Sequence, residues 1–561
     1  MKDALRRCAA IHILALVLLA GISGCPSKAP PPISTETTQP VGVSRAPANG
    51  EATLMLMADI HGVLRPCGCV VELQKGGFDR LTPYLTEERA AHPGSGLLHA
   101  GPLFFEKAPV DPSKKDQSVR QSEVTAELVG RIGFTAAGAT AVDVAASDGR
   151  YNALIERAKL TVTAANLDVD GVKTGPKYTV QDIGTLRIGI FAVAGPAEVS
   201  ADGHAPADDA DHSVAAPFGI PADSVRDPKI AASQVMAALS SKVDVVILLS
   251  ALGLRETKRL VRKVPGIDFA VVGGLGEHPT FTDEAELVGG TRVMQFHREG
   301  RYVGRLAIRV VNGQTEFVDA SQTSAAELKQ LDRRTADLET RMETWKKSGK
   351  AGEYDAKSAS HHLASLKSER DRLAAKKAVV PTDKSSFSFT MTPLNWDLPQ
   401  DPDTLAIMDA FDKELERINI AAAGTLPEAK PGQAVYVGVD ACLECHEETK
   451  QFWTDTRHSH AWATLEKQNK TFDAECVSCH VTGYKQAGGS LVGQTKGREN
   501  VQCESCHGPG SIHADTNEVS DIIAKPTAST CVTCHNTHHS PGFAFGKYRK
   551  MLKVPGHGLP L

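Results

Sequence analysis

Four copies of the pattern Cys-x-x-Cys-His constrain this chain more than any other feature. They read Cys442-Leu-Glu-Cys445-His446, Cys476-Val-Ser-Cys479-His480, Cys503-Glu-Ser-Cys506-His507 and Cys531-Val-Thr-Cys534-His535. The spacing is that of covalent haem c attachment. Two thiols three positions apart fall on one helical turn and reach both vinyl groups of one macrocycle. The residue that follows then lies below the iron and supplies the proximal nitrogen. With 12 Cys and 20 His in 561 residues, a shuffled chain would hold on the order of 0.01 such motifs by composition arithmetic. Zinc is the competing reading, since two Cys-x-x-Cys pairs make one tetrahedral site. Zinc does not call for His directly after all four pairs. The expectation is four haem c groups on eight cysteines, with His446, His480, His507 and His535 as proximal ligands. Crowded into residues 435–561, the macrocycles would lie close enough for electron hopping. They would also supply much of the apolar surface that so short a segment lacks.

The sixth ligand decides whether a haem only carries electrons or also binds substrate. His458, His513, His557 and His460 are the distal candidates, followed by His538 and His539, with Met551 as a weaker thioether alternative. Six histidines for four irons leave room for bis-His ligation throughout, which favours low potentials relative to His/Met.

The N-terminal sequence reads as an export signal. Lys2, Arg6 and Arg7 precede an uncharged apolar run from Ile11 to Ala20. That run is too short to span a bilayer and has the length of a signal h-region. Ile22-Ser23-Gly24-Cys25 resembles a bacterial lipoprotein box, in which Cys25 would carry a diacylglyceryl anchor. A plain Sec signal that happens to contain Cys25 is the alternative. Cys8 would be removed with the signal. Residues 26–50, rich in Pro, Ser and Thr, read as a disordered tether. An exported chain also suits covalent haem. The balance of 62 Lys+Arg against 67 Asp+Glu gives a formal charge of −5, so no basic excess points to nucleic acid. A mean hydropathy of −0.20 excludes a polytopic membrane protein.

Between tether and haem motifs, β-like and helical patterns alternate. Strand candidates are Thr53–Met57, Leu186–Val193, Val243–Leu249, Phe269–Val272, Val293–Phe296 and Leu306–Val311. Arg226–Lys242 and Arg255–Val264 are helix candidates. Leu328, Leu331, Leu338, Met342 and Trp345 recur at alternating steps of three and four with Thr335 in the missing slot, and Leu363, Leu366 and Leu373 follow at steps of three and seven after Ser348-Gly-Lys-Ala-Gly352. They suggest an antiparallel helical hairpin on the surface, a spacer or oligomer contact. A strand Ser386–Met391 and a helix Asp401–Ile418 would complete the α/β unit, and Gly424 to Gly432 reads as linker. The expected organisation is signal 1–25, tether 26–50, α/β domain 51–322, hairpin 323–380, strand and helix 381–422, linker 423–434 and haem domain 435–561.

Two family resemblances extend this reading. Residues 435–515 resemble the multihaem cytochromes related to the tetrahaem electron acceptor of hydroxylamine oxidoreductase. The likeness rests on Ala441-Cys-Leu-Glu-Cys-His446, Trp453-Thr-Asp-Thr-Arg-His458-Ser-His460-Ala461, Glu475-Cys-Val-Ser-Cys-His-Val-Thr-Gly-Tyr484 and Val501-Gln-Cys-Glu-Ser-Cys-His-Gly-Pro-Gly-Ser-Ile-His513. It implies distal ligation by His458 and His513. The family holds both carriers and enzymes, so it does not decide catalysis.

Residues 52–320 resemble the calcineurin-like metallophosphoesterases of the periplasmic 5′-nucleotidase type. The matching landmarks are Leu54-Met-Leu-Met-Ala-Asp59-Ile-His61-Gly62, Gly76-Gly77-Phe-Asp-Arg80-Leu81, Thr163-Ala-Ala-Asn166-Leu167, Val243-Asp-Val-Val-Ile-Leu-Leu-Ser250 and Val271-Val-Gly-Gly274. The resemblance implies two metals bridged by a carboxylate, held by Asp-x-His, Gly-Asp, Gly-Asn-His, a lone His and Gly-His-x-His. Only Asp59 and His61 remain of that set. His99-Ala-Gly101-Pro102 replaces Gly-Asp, Thr140-Ala-Val-Asp143 replaces Gly-Asn-His, Ser250-Ala251-Leu252 the lone His, and Gly274-Leu275-Gly276 the last motif. Without the bridging carboxylate, an inactive scaffold is expected. Cys67 and Cys69 follow closely. They could hold a soft metal with His61 or His99, form a redox dithiol, or be a strained disulfide or two buried thiols.

The fold class expected is therefore multidomain α+β: an N-terminal α/β metallophosphoesterase-like sandwich, a helical coiled-coil hairpin insertion and a mainly helical or irregular multihaem domain. The expected function is periplasmic electron transfer by a membrane-anchored tetrahaem cytochrome, with periplasmic or membrane redox proteins as partners. A multihaem oxidoreductase of a small nitrogen or sulfur compound, or an active metal-dependent phosphohydrolase, are the alternatives.

Overall fold

A computed structural model describes residues 49–66, 74–195, 220–274, 284–321, 325–348, 353–375, 382–536, 540, 543–555 and 557–559. The signal, Cys25, Cys67, Cys69, Leu275, Gly276, His538 and His539 lie outside the described residues.

The run Leu54-Met55-Leu56-Met57 explains the architecture. Successive side chains of a strand face opposite ways. All four are fully buried, so this strand needs a core on both faces. Leu54 and Leu56 pack with Ile188, Ile190, Val245, Ile247, Phe387 and Phe389. Met55 and Met57 pack with Leu81, Leu128 and Val129. A third cluster joins Phe191 and Val193 to Val235, Leu239 and Leu260. The α/β domain is thus four layers, with two sheets face to face and helices outside each.

The strands are β1 (Gly50–Ala58), β2 (Gly96–Ala100), β3 (Ala136–Gly138), β4 (Val162–Thr163), β5 (Thr179–Ile183), β6 (Leu186–Val193), β7 (Val245–Ser250), β8 (Phe269–Val272), β9 (Glu286–Val288), β10 (Thr291–Gln295), β11 (Tyr302–Val310), β12 (Val318–Asp319) and β13 (Ser386–Pro393). Among the described residues one sheet runs β12-β13-β11-β1-β2-β3-β4 and the other β5-β6-β7-β8-β10-β9. The helices are α1 (Phe78–Ala91), α2 (Lys115–Ile132), α3 (Ala141–Ala146), α4 (Tyr151–Arg157), α5 (Pro228–Leu239), α6 (Gly253–Lys263), α7 (Ala325–Ser348), α8 (Glu353–Ala375) and α9 (Pro402–Ala422). Parallel pairing of β1 with β2 sets Met57 beside His99, which brings Asp59 and His99 to the C-terminal ends of two adjacent inner strands.

Several element ends differ from the sequence expectation. Helix α5 starts at Pro228 rather than Arg226, because the Asp227 side chain accepts the Lys229 and Ile230 amides as its N-cap. The strand expected from Val243 starts at Val245. Asp244 ties back to Arg187 at the strand entrance, while Val243 packs into the helix-side core.

Helices α7 and α8 are joined by Asp332–Arg370 and Glu339–Lys367 ion pairs. One partner rises in number as the other falls, so the two run antiparallel. Leu331 of α7 and Ala359 and Leu366 of α8 are buried. From residue 435 onward the helices are short, and the apolar cluster there holds only Leu465, Ala474, Val477, Val481 and Val492 as buried members. No helix of the described residues is long and apolar enough to cross a membrane.

Candidate functional site

The four Cys-x-x-Cys-His motifs each lie on a helical turn. Cys476 to His480 ends the helix Ala474–His480, and Cys503 to His507 is itself a helix. In the first and fourth motifs the His446 amide donates to the Cys442 carbonyl at 3.0 Å and the His535 amide to the Cys531 carbonyl at 2.9 Å. This i to i−4 bond stacks the histidine one turn beyond the first cysteine, as the spacing requires. The motif thiols stand where thioether sulfurs would be. The Cys442 and Cys503 thiols are neighbours, as are those of Cys479 and Cys534, so motifs one and three adjoin, as do two and four. Cys506 interacts with Cys531, which brings three next to four.

Three of the four motif histidines face a second imidazole. His446 faces His513 with centroids 6.4 Å apart and planes 15° from parallel. His458 faces His535 at 6.1 Å and 52°. His507 faces His557 at 6.1 Å and 88°. A metal–nitrogen bond of about 2 Å on each side, plus about 1 Å from nitrogen to ring centre, also spans about 6 Å. Each pair therefore fits one iron between two imidazoles.

The opposite ring nitrogens are occupied. His480 Nδ1 donates to the Ala461 carbonyl at 2.6 Å, His507 Nδ1 to Ile523 at 2.7 Å, His513 Nδ1 to Glu518 at 2.9 Å and His557 Nδ1 to Leu552 at 2.6 Å. His535 Nδ1 pairs with the Ser540 hydroxyl at 3.0 Å. Such bonds fix the tautomer and leave Nε2 for a metal. Burial pushes His458, His480, His507 and His535 below the ordinary histidine value. Burial thus favours the neutral ring, the form that coordinates.

Two of the sequence candidates are not brought to a ring pair. His460 ends the short turn Arg457–His460, and among the described residues only His458 of that turn faces a motif histidine. Met551, at the end of the helix Phe545–Met551, is 48% exposed. His480 has no second imidazole facing it among the described residues.

Glu504 was not singled out by sequence. This buried residue inside the third motif accepts the amides of Val437, Gly438 and Gly510. It stitches the third motif to the segment entering the first.

The second site lies where β1 ends. Asp59 and His61 have left-handed backbones, φ 51° and 56°, a conformation that costs of order 1–3 kcal/mol in a non-glycine residue. Backbone bonds from Asp59, His61 and Gly62 to Ala100, Pro102 and Leu103 hold it. His61 Nε2 is 3.8 Å from Asp59 Oδ1, and Asp59 Oδ1 accepts the Gly274 amide at 2.8 Å. Burial raises Asp59 to about 7, against the lowering effects of that amide and of Arg298. Burial lowers His99 to about 3; its Nε2 accepts the Ile60 amide, and its Nδ1 has no hydrogen-bond partner among the described residues.

Asp143, another residue without a role in the sequence reading, organises the neighbouring loop. Its carboxylate accepts the amides of Leu103, Phe104 and Phe105 at 2.8–3.0 Å and the Thr140 hydroxyl at 3.0 Å. The signal was present in Thr140-Ala-Val-Asp143, a helix-capping spacing. The loop where a bridging carboxylate would stand is thus clamped, and Gly101 lies so close to Asp59 that a β-carbon there would meet its Oδ1 at 1.9 Å. Among the described residues no three His, Cys, Asp or Glu side chains are grouped to hold a metal. The donors among the described residues do not fit a dinuclear centre.

Residues 441–508 match the family described as cytochrome c554 and c-prime. Cytochrome c-554 of Nitrosomonas europaea is 34% identical over a stretch covering 15% of this chain and 43% of that protein. The chain thus spans less than half of that relative's length. A 5′-nucleotidase precursor of Thermus thermophilus superposes over 69% of this chain and 61% of its own, at 15% identity and a TM-score of 0.42. The NAD nucleotidase of Haemophilus influenzae does so over 58% and 61%, at 18% identity and 0.38. A calcineurin-like phosphoesterase of Bacillus subtilis covers 47% of this chain and 86% of its own, at 14% identity and 0.34.

Proposed function

We infer that this chain, whose C-terminal region is a cytochrome c554-type segment and whose N-terminal region has phosphoesterase fold neighbours, works as an exported tetrahaem c-type electron carrier. The observation that carries the reading is the facing of three motif histidines by three others at 6.1–6.4 Å. Haem c would supply a one-electron couple at each motif. The chain's own residues do the rest. Eight cysteines would tether the groups, and His446, His480, His507 and His535 would hold them from one side. His513, His458 and His557 would close the sixth positions of the first, fourth and third motifs. The carbonyls behind the rings fix ring orientation and raise basicity. The nearness of motif thiols to one another supports an order of haems running from motif one to three, four and two. The scarcity of apolar core after residue 435 agrees with a domain that packs around bound macrocycles.

The α/β domain serves in this reading as a scaffold without phosphoester chemistry, supported by the clamped loop at Asp143. Lipidation at Cys25 would hold the protein on the periplasmic side of a membrane, within reach of redox partner proteins. Electron paramagnetic resonance with a haem count tests the reading, which requires three low-spin haems with two imidazoles each. One observation favours a second reading: His480 lacks a facing ring among the described residues, so its iron could bind a small nitrogen or sulfur compound as an oxidoreductase. Carbon monoxide binding to one ferrous haem would support it, and four low-spin haems inert to carbon monoxide would rule it out.

A further inference from the structure

Buried polar contacts tie the second motif to the α/β domain. Asp473 caps the helix Ala474–His480, accepting the Glu475 amide. The same Oδ1 accepts Gln117 Nε2 of α2 at 2.7 Å, in a buried bond. Gln117 Oε1 in turn accepts the Ala474 amide and Asn419 Nδ2 of α9, and Asn419 also donates to the Phe472 carbonyl. Gln117, Asn419 and Asp473 are all buried. Lys470 donates to the other Asp473 oxygen at 2.9 Å and interacts with Asp412, which binds Arg65 at 2.8 Å. Burial works against the Asp473 carboxylate, yet Lys470, Gln117 and the Glu475 amide together hold it below the usual carboxylate range.

One turn further along α2, Gln121 donates to the Gly62 carbonyl. A single face of α2 therefore touches both the Asp59–His61 loop and the start of the second haem helix. Buried, satisfied polar networks fix geometry, and truncating one member leaves the others short of partners. A fixed charge in a low-dielectric surrounding also sets a haem's potential.

We propose that Asp473, held by Gln117 of the α/β domain, is a positioning and charge-setting residue for the haem borne by Cys476, Cys479 and His480, so that the α/β domain sets the potential of that haem alone. The proposal rests on the covalent-haem reading above.

The test is spectroelectrochemical titration of the full-length holoprotein and its variants, each first counted for haem. Asp473→Asn keeps a good helix cap and removes one anion, which favours the ferrous state. One of the four components should rise, by about tenfold in ferrous-to-ferric ratio or about 59 mV. Lys470→Met should move the same component down. Gln117→Met should also move that component, and its effect should vanish in the Gln117→Met/Asp473→Asn double variant. Four immobile components in Asp473→Asn, four that move together, a rise in Lys470→Met, or an undiminished Gln117→Met effect in the double variant would each overturn the proposal. A wild-type protein without covalent haem would overturn the underlying reading; a full haem count with no such shift overturns this inference only.

Discussion

Replacement of His513 by Ala isolates one ring pair. The lost imidazole faces His446 at 6.4 Å with planes 15° apart. Its hydrogen bond to the Glu518 carbonyl is exposed and worth about 1 kcal/mol net. The fold and the thioether links should therefore survive, and the haem count should not change. The first haem alone loses its sixth ligand, so one quarter of the iron should pass from low to high spin. Ring geometry identifies which quarter. Nearly parallel imidazoles give a rhombic low-spin signal, whereas nearly perpendicular ones, as at His507 and His557 with 88°, give a strongly anisotropic one. The rhombic signal should disappear and the anisotropic one persist. Spin quantification against a haemochrome count on the same sample makes the measurement, and added imidazole should restore the lost signal. Unchanged low-spin intensity in the variant would refute the pairing of His446 with His513.

Burial holds His99 near 3 against 6.5 in the unfolded chain, so its contribution is complete above pH 6.5 and is lost as pH falls toward 3. His99→Gln should therefore lose less stability than wild type between pH 7 and 4 in thermal melts; parallel curves would contradict this. Purified protein should release no phosphate from nucleotides with any divalent metal, and release abolished by Asp59→Ala would reverse the scaffold assignment. Cys25→Ser should shift the exported protein from membrane to soluble fractions, seen by blotting; an unchanged distribution would count against lipidation. Leu331→Ala in the hairpin should cost about 2–5 kcal/mol locally while leaving the haem spectrum unchanged, and a spectral change would tie the hairpin to the haem domain.

The haem motifs were legible because their chemistry is local. Five consecutive residues make one turn, and nothing distant is needed to recognise it. The ring pairs were only half legible. His458 and His513 were candidates through a family resemblance, but which motif histidine each ring faces depends on chain folding over tens of residues, as for His458 and His535. Strand positions in the α/β domain were readable from β-branched apolar runs such as Val245–Ser250, while ends shifted wherever a side chain capped an element, as Asp227 does. Gln117 and Asp473 carried no signal at all. They lie 356 positions apart, and a glutamine on a helix face looks solvated until its partner is known. Asp143 is the reverse case: its capping spacing from Thr140 is visible in the sequence, while its hold on the amides of Leu103, Phe104 and Phe105 is not.

The central claim is that macrocyclic iron is bonded through thioethers to the last quarter of the chain. Pyridine haemochrome analysis of the exported, denatured protein tests it most directly. Close to four haem c groups per chain that resist acid–acetone extraction are expected. Extractable pigment, no pigment, or zinc in its place would contradict it.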